Sequence, residues 1–265
     1  MSADPGLVAT LLSRIETWRG SGLTTIGICG AQGSGKTTLV AALAEALAEN
    51  GVRVATLSLD DLYHTRAERQ ALARDVHPLL VTRGVPGTHD VALGLATLDA
   101  LGRGEAAPLP RFDKANDDRA PEGDWPLAPA NTQVLLFEGW CLCAAPQEGA
   151  ALAEPVNALE RDEDTDGTWR RYANAALESD YQALFARVGR LVFLAAPSWE
   201  IVARWREQQE AQLRAKGGAA VMSPDAVLRF IQHYERLTRH ILATMPGYAD
   251  LTVRLDPDRA VLGLG

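Results

Sequence analysis

Residues 24–47 read Thr24-Thr25-Ile26-Gly27-Ile28-Cys29-Gly30-Ala31-Gln32-Gly33-Ser34-Gly35-Lys36-Thr37-Thr38-Leu39-Val40-Ala41-Ala42-Leu43-Ala44-Glu45-Ala46-Leu47. The first six residues form an apolar, β-branched run that predicts a buried strand. Leu39, Val40, Leu43 and Leu47 recur at helical spacing and predict a helix. Between them stands Gly-x4-Gly-Lys-Thr, the spacing of a phosphate-binding P-loop in the strand–loop–helix setting that loop requires. The physical logic is that adjacent anionic phosphates are best held by backbone N–H groups at a helix N-terminus. Glycines at 30, 33 and 35 allow the close approaches and backbone angles that a Cβ blocks. The candidate nucleotide-binding residues are therefore Gly30, Ala31, Gln32, Gly33, Ser34, Gly35, Lys36, Thr37 and Thr38. Lys36 is placed to reach between the terminal phosphates and acts as a catalytic candidate. The Thr37 hydroxyl is a candidate ligand of a bridging Mg²⁺.

Outward from this unit, strands are expected over Val52–Leu59, Val134–Phe137 and Leu191–Leu194, the first two followed by Asp60-Asp61 and Glu138-Gly139. Helical segments separate them. This alternation predicts an α/β fold with a doubly wound, mainly parallel sheet whose ligands bind at the carboxyl ends of the strands. At 265 residues the chain reads as one domain. An N-terminal helix is expected over 4–19, a core over about 24–196, and a helical lid with C-terminal helices over about 198–245. Within the last region, Ser198 is read as the cap of a helix to about Lys216, and Ser223-Pro224 as the start of one to about Leu242. The acidic stretch 161–167 is read as a solvated turn.

The formal charge of −8, from 26 basic and 34 acidic residues, argues against a broad nucleic-acid or membrane-surface footprint. Small anions must then be met by local cations. Three cysteines, Cys29, Cys141 and Cys143, form neither a disulfide framework nor a zinc set and suit a reducing cytoplasm. No run approaches the roughly 20 apolar residues needed to span a bilayer.

Transfer of a phosphoryl group to an alcohol needs a carboxylate near the attacking hydroxyl, a metal partner and cations over the transferred group. Asp60, after the second strand, is the candidate base; Asp61 is read as a turn residue. Glu138 directly follows four apolar residues, where a carboxylate is costly to bury without a cation, so it is the candidate metal partner. Arg204 and Arg206 lie on the helix after the fourth strand and are candidate lid arginines, although the charged residues around them fit a solvated face equally well. The long Pro-, Gly- and charge-rich stretch 101–132 reads as a functional loop. It supplies Arg111, Asp113, Lys114 and Arg119 as acceptor-binding candidates. Tyr63, Arg83 and His89 join them, while Thr88 or Asp90 is expected to cap the helix that follows.

These segments together carry a resemblance. The P-loop, Ser58-Leu59-Asp60-Asp61-Leu62-Tyr63, the stretch from Arg83-Gly84 to His89-Asp90, Pro110-Arg111-Phe112-Asp113-Lys114 and Phe137-Glu138-Gly139-Trp140 occur in the order found in the D-glycerate 3-kinase family. Pro155-Val156-Asn157, the run from Trp205 to Glu210 and His233-Tyr234 extend the likeness over most of residues 24–245. The chain thus resembles a branch of the P-loop kinases that includes uridine, pantothenate and phosphoribulokinase enzymes. The resemblance implies ATP and Mg²⁺ as cofactors, a base at Asp60 and D-glycerate as acceptor, with 3-phosphoglycerate as product. The substrate carboxylate would need a fixed cation, for which Arg83, Arg111, Lys114 and Arg119 are available. Ala115-Asn116-Asp117-Asp118-Arg119 is more acidic than the family pattern. The alternatives are another hydroxylated acceptor, such as a nucleoside or pantothenate, and a nucleotide-dependent switch.

Overall fold

The computed structural model describes residues 3–215 and 222–265. Its central sheet is built on runs that are apolar on both faces, because helices cover each side of a mainly parallel sheet. The strands are β1 (Thr24–Gly30), β2 (Val54–Ser58), β3 (Val134–Gly139), β4 (Arg190–Ala195), β5 (Leu251–Leu255) and β6 (Val261–Leu264). All six residues of β3 are buried, as are six of the seven in β1. The strand order is β6-β5-β4-β1-β3-β2, parallel throughout except for β6, which pairs antiparallel with β5. The register aligns the carboxyl ends: Glu138 stands beside Ile28 of β1 and Ser58 of β2. The expectation of a doubly wound, mainly parallel sheet describes this architecture.

The helices are α1 (Pro5–Trp18), α2 (Lys36–Glu49), α3 (Arg66–Asp75), α4 (Val91–Gly102), α5 (Ala158–Glu163), α6 (Thr168–Glu178), α7 (Asp180–Phe185), α8 (Trp199–Ala215) and α9 (Pro224–Thr244). Asp4 caps α1, whose Leu7, Leu11 and Ile15 are buried; α2 buries Leu39, Val40, Leu43 and Leu47. Asp90 caps α4, and Thr65 with Glu68 forms a capping box on α3. The predicted end of α8 at Lys216 lies outside the described residues. No described helix is long and apolar enough to cross a membrane.

Three expectations change. The core does not stop near residue 196: β5 and β6 add two strands beyond the last anticipated helix. The stretch 101–132 contains two short antiparallel ladders, 107–108 with 127–128 and 112–113 with 118–119, which turn it into a shaped flap. The stretch 161–167 is not a wholly solvated turn, because Asp164 is fully buried. Its carboxylate accepts the backbone N–H of Trp169 at 2.7 Å and the Arg170 guanidinium at 2.9 Å, so it organises the start of α6.

A second buried ion pair fixes α9. Arg236 donates to both oxygens of Glu160, at 2.8 and 2.7 Å, and to the carbonyls of Ala151 and Glu154. Asn157 adds to this joint by capping α5 and donating to the Gln232 carbonyl of α9. Arg236→Ala leaves the Glu160 charge buried and unpaired, and should lower folding stability by about 3–5 kcal/mol. Urea unfolding checks this; a loss below about 1 kcal/mol, the scale of an exposed pair, would contradict it.

Candidate active site

The nucleotide half of the site begins where β1 ends. Gly33 and Gly35 take positive φ values of 79° and 91°, which the loop needs to curl back on itself before α2. Ser34 N–H donates to the Ala31 carbonyl at 3.2 Å within that curl. Lys36 opens α2 with its ammonium 3.9 Å from Glu138 Oε2. Glu138 Oε1 accepts from the Thr37 hydroxyl at 3.1 Å and from the Ser58 hydroxyl at 3.0 Å. Glu138 is only 7% exposed, yet its Oε2 accepts no hydrogen bond among the described residues. A buried carboxylate oxygen without a donor, next to a hydroxyl, is an oxygen set that fits a hard divalent cation such as Mg²⁺. No group of three or more His, Cys, Asp or Glu side chains positioned to hold a metal occurs among the described residues. Mg²⁺ suits such a site, since it is usually held by one or two protein oxygens together with phosphates and waters.

The acceptor half begins with a 3₁₀ turn, Leu59–Leu62, capped by Ser58. Asp60 therefore lies two residues beyond the end of β2. Its Oδ1 accepts from the Tyr63 hydroxyl at 2.8 Å and its Oδ2 from Lys114 Nζ at 2.6 Å. Burial raises the Asp60 pKa, but the charges of Lys114 and Lys36 and the hydrogen bonds from Lys114 and Tyr63 outweigh it and hold the carboxyl at about 2. Asp61 faces the flap instead, accepting from the Phe112 backbone at 3.1 Å and Arg111 Nη1 at 3.2 Å, so it ties the flap down and does not cap the turn that follows it.

Tyr63 stacks on His89 at 4.5 Å between centroids and meets Phe112 edge-on. His89 Nδ1 pairs with the Tyr181 hydroxyl at 2.6 Å, and burial pushes the imidazole pKa down to about 3. The ring is therefore neutral at physiological pH and forms a polar wall. A cavity of about 460 Å³ lined by His64, His89, Asp90, Tyr172 and Tyr181 adjoins this wall, but neither Asp60 nor the P-loop lines it. The carboxylates and the loop, and not that cavity, locate the chemistry.

Three of the four candidate cations, Arg83, Arg111 and Arg119, are partly buried against carboxylates and are not solvated loop charges. Arg119 pairs with Asp90 at 3.0 Å and donates to the Tyr63 carbonyl; Arg83 pairs with Asp117, which Arg69 also grips at 2.9 Å. The acidic departure at 115–119 thus anchors the flap, with Asp118 accepting from the Arg66 backbone. Lys114 is the most exposed of the four and is held by one carboxylate alone. Asp113 is turned to its own hairpin tip, where it accepts from Ala115, Asn116 and the Asn116 side chain. Arg206 is occupied within the helical hairpin, paired with Glu210 at 2.8 Å and lying over Phe230. Arg204 is exposed.

Two site residues went unanticipated. Ser58 carries no role of its own in the sequence pattern, although a hydroxyl at the last position of β2, in register with Glu138, is the clue to one. Arg259 reaches the P-loop from the turn between β5 and β6, and no local pattern marks it.

Residues 25–145 match the Phosphoribulokinase / Uridine kinase family. The chain is 37% identical over 218 residues to the uncharacterized kinase mug58 of Schizosaccharomyces pombe, covering 79% of this chain and 77% of that one. It is 34% identical over 247 residues to the chloroplastic D-glycerate 3-kinase of Arabidopsis thaliana, covering 89% of this chain; the chain spans about half, 51%, of that relative. A solved D-glycerate 3-kinase from Cryptococcus neoformans superposes with a TM-score of 0.80 at 26% identity, covering 98% of this chain and 96% of that one.

Gly33→Ala tests the loop geometry. An added Cβ meets Trp205 Cβ at 2.7 Å at a residue whose φ is 79°. The positive φ alone costs about 1–2 kcal/mol, so Mg-ATP affinity by calorimetry should fall about tenfold or more. Unchanged affinity would show that the loop tolerates a different curl.

Proposed function

The chain belongs to the phosphoribulokinase/uridine kinase family and is a P-loop kinase acting on an alcohol; from that premise we propose that it transfers the γ-phosphoryl group of Mg-ATP to the 3-hydroxyl of D-glycerate. The products are 3-phosphoglycerate and ADP.

The P-loop, Gly30 to Thr38, cradles the phosphates with its N–H groups, and Lys36 neutralises charge that develops on the transferred group. Thr37 and Glu138 would hold Mg²⁺, which would supply charge withdrawal from the phosphates. Asp60 accepts the proton of the attacking hydroxyl. Tyr63 keeps the Asp60 carboxylate oriented, and His89 supports the Tyr63 ring. Arg83, Arg111 and Arg119 shape the acceptor wall through their carboxylate partners, and Asp113 sets the hairpin that carries Lys114. Of the two arginines on the lid helix, exposed Arg204 is the one free to add positive charge over bound nucleotide, whereas Arg206 is committed to Glu210 and Phe230. The three unpaired cysteines suit a reducing, cytoplasmic setting.

The observation that carries the choice of an anionic acceptor is the 2.6 Å contact between Lys114 and Asp60. A carboxylate held at about 2 is a poor base near neutral pH. Lys114 is exposed enough to leave, and a substrate carboxylate is the group that would draw it away. Loss of the Lys114 charge and hydrogen bond raises the proton affinity of Asp60, so the base strengthens as the acceptor binds. An uncharged nucleoside offers Lys114 no such partner.

An ADP-release assay with D-glycerate, L-glycerate, uridine and pantothenate, with the product identified by NMR, tests the proposal. Formation of 3-phosphoglycerate from D-glycerate at the highest rate is expected; faster phosphorylation of uridine or pantothenate would overturn it. The pH profile of Lys114→Met provides a second check. Removing the cation removes the largest influence that lowers the Asp60 pKa, leaving burial to raise it. The acid limb of kcat/KM should therefore move to higher pH than in the parent enzyme, and an unmoved limb would separate Asp60 from the proton transfer.

A further inference from the structure

We propose that Arg259 is a positioning residue for the P-loop, one that locks the Gly33–Ser34 peptide so that its N–H faces into the phosphate-binding curl. The turn between β5 and β6 is closed by four hydrogen bonds: Asp256 N–H to Ala260 O, Arg259 N–H to Asp256 O, and both Asp258 and Ala260 N–H to Asp256 Oδ1. Arg259 itself is left-handed, with φ 72°, a conformation that a bulky L-residue adopts only when its surroundings impose it. That conformation sends the guanidinium across 226 positions of sequence to the loop, where Nε donates to the Gly33 carbonyl at 2.6 Å.

The contact is reinforced from α8. The guanidinium lies 4.9 Å from the Trp205 ring centroid and donates through Nη2 to Gln208 at 3.0 Å. Trp205 returns the tie by donating its indole N–H to the Pro257 carbonyl at 2.7 Å. Loop, lid helix and C-terminal turn therefore meet at one guanidinium.

The consequence follows from amide geometry. In a planar trans peptide the carbonyl and the following N–H point in opposite directions. With the Gly33 carbonyl held outward by Arg259, the Ser34 N–H turns inward, where it donates to Ala31. Glycine resists rotation of that peptide plane less than any other residue. Without Arg259 only the 3.2 Å bond from Ser34 to Ala31 holds the plane, and if it turns over a carbonyl oxygen faces the phosphates. Among the described residues no carboxylate lies within ion-pair distance of Arg259, so its charge also adds to the field behind the loop.

This inference rests on the nucleotide-binding reading of the P-loop and not on the identity of the acceptor. Its test measures Mg-ATP and Mg-ADP affinity by calorimetry, and KM for ATP and for acceptor, in the parent protein, Arg259→Ala and Arg259→Lys. Lysine keeps the charge but loses the Nε donor and the planar contact with Trp205. Both variants should weaken nucleotide binding by about tenfold or more, the scale of one lost charge-assisted hydrogen bond. KM for ATP should rise in step while KM for the acceptor and the melting temperature hold. Parent-like affinity in Arg259→Ala, which removes every side-chain donor to the Gly33 carbonyl, would overturn the peptide anchor. Equal rises in both KM values would also overturn it, by assigning Arg259 to general stability. A parent protein that binds no nucleotide would overturn the P-loop reading and this inference with it.

Discussion

Glu138 places a carboxylate at the buried end of β3, between Ile28 of β1 and Ser58 of β2, where water cannot stabilise it. Such a charge must be met by donors and cations from whatever elements surround it. Thr37 comes from the first turn of α2, Ser58 from the end of β2 and Lys36 from the mouth of the P-loop. The one carboxylate thus ties together the three elements that carry the nucleotide half of the site. It also fixes where the acceptor half begins, because Ser58, which bonds Glu138, caps the turn that holds Asp60. The distance between phosphate cradle and base is set by the strand register and not by a flexible loop.

The acceptor half is organised by charge pairing. Arg83, Arg111, Lys114 and Arg119 each contact a carboxylate, so the flap is held in place before any ligand arrives. Three of these pairs are held on further atoms: carbonyls bind Arg111 and Arg119, and Arg69 grips the partner of Arg83. Lys114 has one contact and the most exposure. An incoming anion therefore competes most easily for Lys114, the same cation that keeps Asp60 a weak base. On the proposed reading, binding of the acceptor and activation of the base are one event.

Much of this was legible in the sequence because the decisive signals are local. The Gly-x4-Gly-Lys-Thr loop lies between strand and helix patterns that a window of 24 residues displays in full, and Asp60 and Glu138 stand at the ends of strand-like runs of sequence. The unreadable parts depend on contacts between distant residues. Arg259 meets Gly33 across 226 positions, and nothing near residue 259 marks it. Asp164 looks like its exposed neighbours Asp162 and Glu163, and only the fold of α6 over it reveals its burial. Asp117 and Asp118 read as a departure from a substrate-binding pattern, whereas folding makes them anchors for Arg69, Arg83 and the Arg66 backbone. The strand β5 and the edge strand β6 are short and follow a long helix, so the pairing of β5 with β4 and of β6 with β5 is visible only once the sheet exists.

On the proposed reading the acceptor carboxylate takes Lys114 from Asp60 and leaves that carboxylate facing the reacting hydroxyl. A crystal structure with D-glycerate, Mg²⁺ and a non-hydrolysable ATP analogue should show this. Lys114 Nζ is expected on the substrate carboxylate, with the 3-hydroxyl within about 3 Å of an Asp60 oxygen, the reach of a general base. Lys114 still bound to Asp60, with the hydroxyl directed to another residue, would contradict it.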